Sequence, residues 1–212
     1  MESVRVVRTI LLSRLNGHNS TTVLVTSATA GTGKSSFTMM LGKSLAQVGK
    51  KVLVIDADFH KMSLTKQFGL SDKSGFMESL CNSSGCKRHI FPTETSGLSI
   101  MPVGKLSGNG QIFEETANGA FKSCIGQFRK QYNIILLDSP PILPVADAAI
   151  LSNQVDGTIM VERELISRRS NMVNAIARLD SAGGRLLGTV FIGSSGHGKY
   201  GYGSYYDKKS KA

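Results

Sequence analysis

Short apolar runs alternate along this chain with segments whose apolar residues recur every three or four positions. Thr22–Ser27 is mostly aliphatic and β-branched and predicts a strand; a glycine-rich stretch follows, and then a helix opening at Lys34. In that helix Phe37, Met40, Leu41, Leu45 and Val48 stand at i, i+3, i+4, i+8 and i+11, a spacing that predicts one buried face. Gly49 stops the helix, and Lys51–Ile55 predicts the next strand. Further strands are expected at Leu98–Met101, Ile134–Leu137, Gly157–Val161 and Leu186–Phe191, and helices at Glu115–Arg129, Val145–Ser152 and Ser167–Leu179. Residues 70–110 are Ser- and Gly-rich and weakly periodic, which predicts loops with short helices. Consecutive strand–helix units need right-handed crossovers, so the expected fold is α/β, a mostly parallel sheet with helices on both faces.

Composition narrows the picture without deciding it. The 212 residues give a prior of about one domain, with 41% hydrophobic and 19% charged residues, which excludes disordered, collagen-like and disulfide-scaffold chains. The apolar runs Val52–Ile55 and Ile134–Leu137 are far shorter than the ~20 residues of a membrane-spanning helix. Charges at Glu2, Arg5 and Arg8 argue against a signal peptide. Three cysteines (Cys81, Cys86 and Cys124) cannot all pair and form too sparse a set for zinc, so a reducing cytoplasm is expected. A net charge of +10 can attract nucleic acid, anionic lipid or phosphorylated groups, or can simply be a solvated surface. No zinc-finger or RNA-recognition signature accompanies it, and no nucleic-acid partner is expected.

The chemistry concentrates between the first strand and the first long helix. SATAGTGKSS (Ser27–Ser36) places glycines, a lysine and hydroxyls where backbone amides and a helix N-terminus form an anion cradle. Gly31 and Gly33 allow close approach of the backbone, Lys34 would reach the β- and γ-phosphates, and Ser35 would hold Mg²⁺. Ala30, Thr32 and Ser36 complete the loop. The strict pattern GxxxxGK(S/T) fails at its first glycine, which is Ala28 here. The expected ligand is a nucleoside triphosphate, ATP, with Mg²⁺.

Two acidic strand ends extend the pattern. Asp56 and Asp58 close the second strand at i and i+2, on one side of an extended chain, and Asp138 closes the run from Ile134 as a Walker B-type carboxylate. In open parallel sheets the carboxyl ends of the strands form the ligand crevice.

These three motifs, in this order, with an N-terminal Glu-x-x-Arg-x-x-Arg and a tyrosine-rich end, resemble the bacterial protein-tyrosine kinases of exopolysaccharide and capsule export. The resemblance covers Glu2 to Tyr206. The family's loop reads roughly SxxPGxGKST; Gly31, Gly33, Lys34 and Ser35 match, while Ala30 replaces Pro and Ser36 replaces Thr. In its second motif, hhhDxDxR, Asp56 and Asp58 match and His60 stands in the Arg position, with Lys61 beside it. In its third, hhhDxPP, Asp138, Pro140 and Pro141 match. On the last strand GVVxN is followed except that Ile192 replaces Asn, a change bearing on a polar contact to adenine.

The resemblance implies a P-loop kinase domain over residues 1–193, with an oligomerisation helix over 1–15, and a flexible tail over 194–212. Tyr200, Tyr202, Tyr205 and Tyr206 lie among glycine, serine and lysine, where they are the expected phosphoacceptors; a sticky or base-stacking segment is the other reading. Glu2, Arg5 and Arg8 form a slanting ridge on a helix, apart from an apolar face of Val4, Val7 and Leu11. The family would dock this ridge into a neighbouring subunit to build a ring; the bland reading is a solvated helix.

In the implied mechanism Lys34, Asp56, Asp58 and Asp138 are catalytic, and Ser35, Asp58 and Asp138 hold Mg²⁺. Asp56 orients or deprotonates the tyrosine, although the roles of Asp56 and Asp58 could be exchanged. The implied partners are further copies of the chain, a membrane polysaccharide co-polymerase or activator segment, and a tyrosine phosphatase. The implied location is the inner face of the membrane, whether the chain is an excised domain or a separate soluble kinase. Two other readings stand beside this one. A partitioning-type switch ATPase would carry a lysine where Thr29 stands, and a scaffold module would retain the fold with weakened activity.

Overall fold

The computed structural model describes residues 2–14, 19–81, 88–105 and 119–193. In chain order the elements are α1 (Glu2–Arg14), β1 (Thr21–Thr26), α2 (Lys34–Ala46), β2 (Val52–Asp56), α3 (Ser63–Gln67), α4 (Phe76–Cys81), β3 (Phe91–Pro92) and β4 (Leu98–Met101). They continue with α5 (Ala120–Phe128), β5 (Ile134–Asp138), α6 (Asp147–Ser152), β6 (Gly157–Arg163), α7 (Arg169–Ser181) and β7 (Leu186–Ile192). The strands form one sheet in the order β3-β4-β2-β5-β1-β6-β7, parallel throughout except for β3 against β4.

β1, β2 and β5 are buried at every residue, as central parallel strands covered on both faces must be. One face of the sheet, built on Val23, Val25, Val52, Val54, Ile134 and Leu136, packs under α1 and α2. Leu24, Leu53, Ile55, Ile135 and Leu137 point the other way, against Phe76, Phe121 and Phe128 of α4 and α5. Gly42 lets α2 lie close on the first face: a Cβ there would sit 3.2 Å from both Leu98 Cδ1 and Val54 Cγ2.

The buried face of α2 differs from the one its periodicity predicts. Phe37, Leu41 and Leu45 are buried, but Met40 and Val48 are exposed. Val48 lies beyond the last helical residue, Ala46, so the 3.6-residue period no longer sets its direction. Met40 lies at the rim of a shallow cleft shared with Val4 and Arg5 of α1, while Thr38, Met39, Gly42 and Ser44 complete the buried side. Helix α1 packs as its apolar positions predict: Leu11 is buried, and Val4, Val7 and Leu12 pack against the same core.

The remaining expectations differ mainly at element ends. Helix α5 begins at Ala120, and the residues expected to precede it from Glu115 lie outside the described residues. The expected tail, with Tyr200, Tyr202, Tyr205 and Tyr206, also lies outside the described residues. No described helix is long and apolar enough to cross a membrane.

Candidate active site

The site is built where β1, β2 and β5 end side by side. β1 runs into the loop Ser27–Gly33, in which Gly31 (φ 84°) and Gly33 (φ 93°) adopt the left-handed region that favours glycine. Gly33 caps α2 with no side-chain capping hydrogen bond, which leaves the first amides of the helix to an anion. Ala30, Gly31 and Ser36 face outward, whereas Thr32 and Lys34 are buried in the loop. The loop is braced from β5: the Ser139 hydroxyl donates to Val25 O (3.0 Å), Thr26 Oγ1 donates to Pro140 O (2.9 Å), and Ile142 N–H donates to Ser27 O (2.9 Å). The Pro-Pro segment after Asp138 thus holds the phosphate loop in place.

Asp56 and Asp138 share the face of the sheet that carries α2, with Asp138 wholly buried. Thr38 Oγ1 donates to Lys34 O (2.9 Å) and stands 3.3 Å from Asp138 Oδ1. Burial pushes the Asp138 carboxyl up to about 7; a hydrogen bond from Ser35 and the Lys34 charge oppose this, while Asp56 and Asp58 add to it.

Asp56 is also buried, which raises its pKa against the pull of Thr65. Its Oδ2 accepts from both Thr65 N–H and Thr65 Oγ1 at 2.8 Å, and its Oδ1 accepts from Asp58 N–H at 3.2 Å. Asp58 Oδ1 accepts from the amides of His60 (3.2 Å) and Lys61 (3.0 Å). Asp56 is therefore held through both oxygens, by Thr65 on one and the Asp58 amide on the other, and Asp58 through one oxygen by its own loop.

Two polar atoms at the loop, Asp138 Oδ2 and Thr32 Oγ1, are buried without a hydrogen-bond partner. Buried groups of this kind are costly unless something completes them, and a hydrated Mg²⁺ with phosphate oxygens has the matching chemistry. Among the described residues no three His, Cys, Asp or Glu side chains group to hold a metal. Mg²⁺ typically takes only one or two carboxylates and fills its shell with phosphate and water, so the donors here fit it.

A family model described as an AAA domain matches residues 20–181. EpsB of Ralstonia nicotianae is 31% identical over 98% of this chain, which spans 28% of EpsB. Tyrosine-protein kinase YwqD of Bacillus subtilis is 30% identical over 95% of this chain and 85% of its own. The chain belongs to the bacterial protein-tyrosine kinase family. Its fold superposes on the kinase domain of Escherichia coli tyrosine kinase ETK with a TM-score of 0.82, at 25% identity over 95% of this chain and 80% of that one.

Two of the four departures from the family motifs, His60 and Ile192, have defined surroundings. His60 Nε2 lies 3.0 Å from Asp147 Oδ2, so an imidazole at the Arg position ties the Asp58 loop to the start of α6. Ile192 sits beside the phosphate loop: a Cβ on Gly33 would be 3.4 Å from Ile192 Cδ1. On α1, Arg8 Nη1 donates to Ser44 O and Ser44 Oγ, each at 3.2 Å, so this member of the ridge anchors the helix to α2 of its own chain.

Thr38, Thr65 and Asp147 complete the site and belong to no motif. Thr38 has a local signal, standing four residues after Lys34 on the helix face that meets the sheet. Thr65 and Asp147 reach Asp56 and His60 only through tertiary packing.

Proposed function

We propose that this chain is an ATP-dependent protein-tyrosine kinase that phosphorylates Tyr200, Tyr202, Tyr205 and Tyr206 of a neighbouring copy within an oligomer. The observation that carries this is the convergence of Lys34, Asp56 and Asp138 at one end of the sheet, with a buried Asp138 oxygen left unpartnered. In this reading the amides of Ala30–Ser36 and the Lys34 ammonium hold the phosphates. Ser35, Asp58 and Asp138 would hold Mg²⁺, which would supply charge neutralisation for the phosphates of bound ATP.

The carboxylates divide the remaining work. Burial raises the pKa of Asp56, which favours its taking up a proton, and its Oδ2 is fixed by Thr65. Its Oδ1 would accept the phenolic proton as the tyrosine oxygen bonds to the γ-phosphorus and ADP departs. A tyrosine starts near pKa ~10, so a positioned carboxylate and nearby metal charge provide the activation it needs.

The same reading places the chain in exopolysaccharide or capsule synthesis and export, at the inner face of the membrane. There it would meet a membrane co-polymerase or activator segment and a tyrosine phosphatase, and the ridge of Glu2 and Arg5 would join neighbouring copies. The test mixes two variants: an active chain lacking the four tail tyrosines, and a Lys34→Met chain that keeps them. Phosphotyrosine on the Lys34→Met chain after Mg-ATP supports transfer between copies. ATP hydrolysis without phosphotyrosine would instead support a switch ATPase.

A further inference from the structure

Glu162 belongs to none of the motifs, yet it is a fully buried carboxylate beside the phosphate loop. A charge in such a place must be matched by donors, and here both oxygens are. Oε1 accepts from Ala28 N–H at 2.8 Å, and Oε2 accepts from the Ser167 hydroxyl. Ser167 Oγ in turn accepts from Arg163 N–H at 2.9 Å, so the hydroxyl is used once as donor and once as acceptor.

The position of this carboxylate follows from the sheet register. The β1–β6 ladder ends with Thr26 opposite Met160. Two residues further along each strand come Ala28 and Glu162, where β1 has already turned into the phosphate loop. The side chain of Glu162 takes over where the backbone ladder stops. On its other side Ala28 O accepts from Leu143 N–H (3.4 Å), and Ser27 O accepts from Ile142 N–H. The first leg of the loop is thus clamped between β6 and the segment after Asp138.

The far end of the clamp is a tight turn. Leu165 adopts φ 66°, uncommon for a residue with a side chain, and projects fully into solvent. Ser167 N–H donates to Arg163 O at 2.8 Å, which closes the turn and returns the Ser167 hydroxyl to Glu162.

We propose that Glu162 is a positioning residue for nucleotide binding: it fixes the entry of the phosphate loop through Ala28 N–H and couples it through Ser167 to the β6–α7 turn. The inference rests on the reading that this loop binds Mg-ATP. Titration of the full chain with a fluorescent ATP analogue and Mg²⁺ tests both, and they fail separately. Binding by the unaltered chain that Lys34→Met abolishes supports the nucleotide reading; its absence overturns that reading and the inference with it.

Given that binding, Glu162→Val removes the acceptor for Ala28 N–H, and the analogue Kd should rise about 10-fold. Glu162→Gln keeps a carbonyl oxygen for that amide and should stay within about 3-fold of the unaltered chain. The Ala28 amide proton should lie downfield and exchange slowly in NMR spectra, and should lose both properties in Glu162→Val. Ser167→Ala, a milder change on the outer side of the clamp, should raise KM for ATP about 3-fold with kcat little changed. Glu162→Val that lowers Tm but leaves the Kd and the Ala28 resonance unchanged would overturn the inference. If Glu162→Val does not fold, an unchanged KM in Ser167→Ala would overturn it instead.

Discussion

Asp56 and Asp138 are register partners at the ends of the adjacent parallel strands β2 and β5, and Ala57 N–H donates to Asp138 O at 2.8 Å just beyond them. Two carboxylates on one face of a sheet, both removed from water, repel each other unless a cation or a proton joins them. The pair explains why the ligand-free site resists ionisation and why a bound cation would relieve it.

The stability of the ligand-free protein should therefore fall as pH rises. The Asp138 carboxyl is raised to about 7 by burial, with Asp56 and Asp58 adding to the shift and Ser35 and Lys34 opposing it. Its favourable protonated form is fully populated below the ordinary carboxylate pKa of about 4, and is lost as pH passes through about 7. Stability should decline across that window by an amount on the order of a few kcal/mol. Asp56, raised in the same direction, acts with the same sign. Asp138→Asn should flatten the Tm–pH profile in EDTA and raise Tm above pH ~7 while weakening Mg²⁺-dependent nucleotide binding. Parallel profiles for the two proteins would refute this.

The brace on Asp56 has its own test. Thr65 Oγ1 donates to Asp56 Oδ2 and accepts from Val103 N–H at 2.9 Å, so Thr65→Val strands a buried amide and removes a donor from the carboxylate. The expected cost in urea denaturation is about 1–3 kcal/mol. Thr65→Ser, which keeps both bonds, should recover most of it; equal losses in the two variants would assign the effect to packing.

Replacing His60 separates geometry from charge. The imidazole is about half exposed, at 55%, so the pair with Asp147 should add less than about 1 kcal/mol to stability. Its effect should instead appear in kcat, because His60 and Lys61 donate their backbone amides to Asp58 Oδ1. His60→Ala should lower kcat about 10-fold, and His60→Arg, still able to reach Asp147, should retain it. A His60→Ala enzyme with full kcat would show that the tether does not position Asp58.

Helix α1 yields a prediction about assembly. Arg8 is spent on Ser44 within its own chain, so Arg8→Ala should cost about 0.5–1.5 kcal/mol of stability. Arg5 is exposed on the same helix. Arg5→Glu should shift the mass measured by light scattering toward the monomer. Loss of assembly from Arg8→Ala alone, with stability intact, would reverse these assignments.

The sheet, the crossover helices and the placement of Lys34, Asp56, Asp58 and Asp138 were legible in the sequence because they depend on local signals. Buried parallel strands read as apolar runs, and the carboxylates of the candidate site sit where such runs stop. The face of α2 was misread at Met40 and Val48, because periodicity reports neither where a helix ends nor how α1 flanks it. Thr65, Asp147 and Glu162 carry no local signal at all. Glu162 meets Ala28 across 134 residues, through a register that exists only once β1 and β6 have paired.

The central claim, that the chain is a tyrosine kinase acting on its own C-terminal cluster, is tested most directly by intact-mass spectrometry before and after Mg-ATP, beside Lys34→Met. Successive additions of ~80 Da on the peptide carrying Tyr200, Tyr202, Tyr205 and Tyr206, absent from Lys34→Met, are the predicted result. An unmodified tail in a protein that binds and hydrolyses Mg-ATP would contradict it.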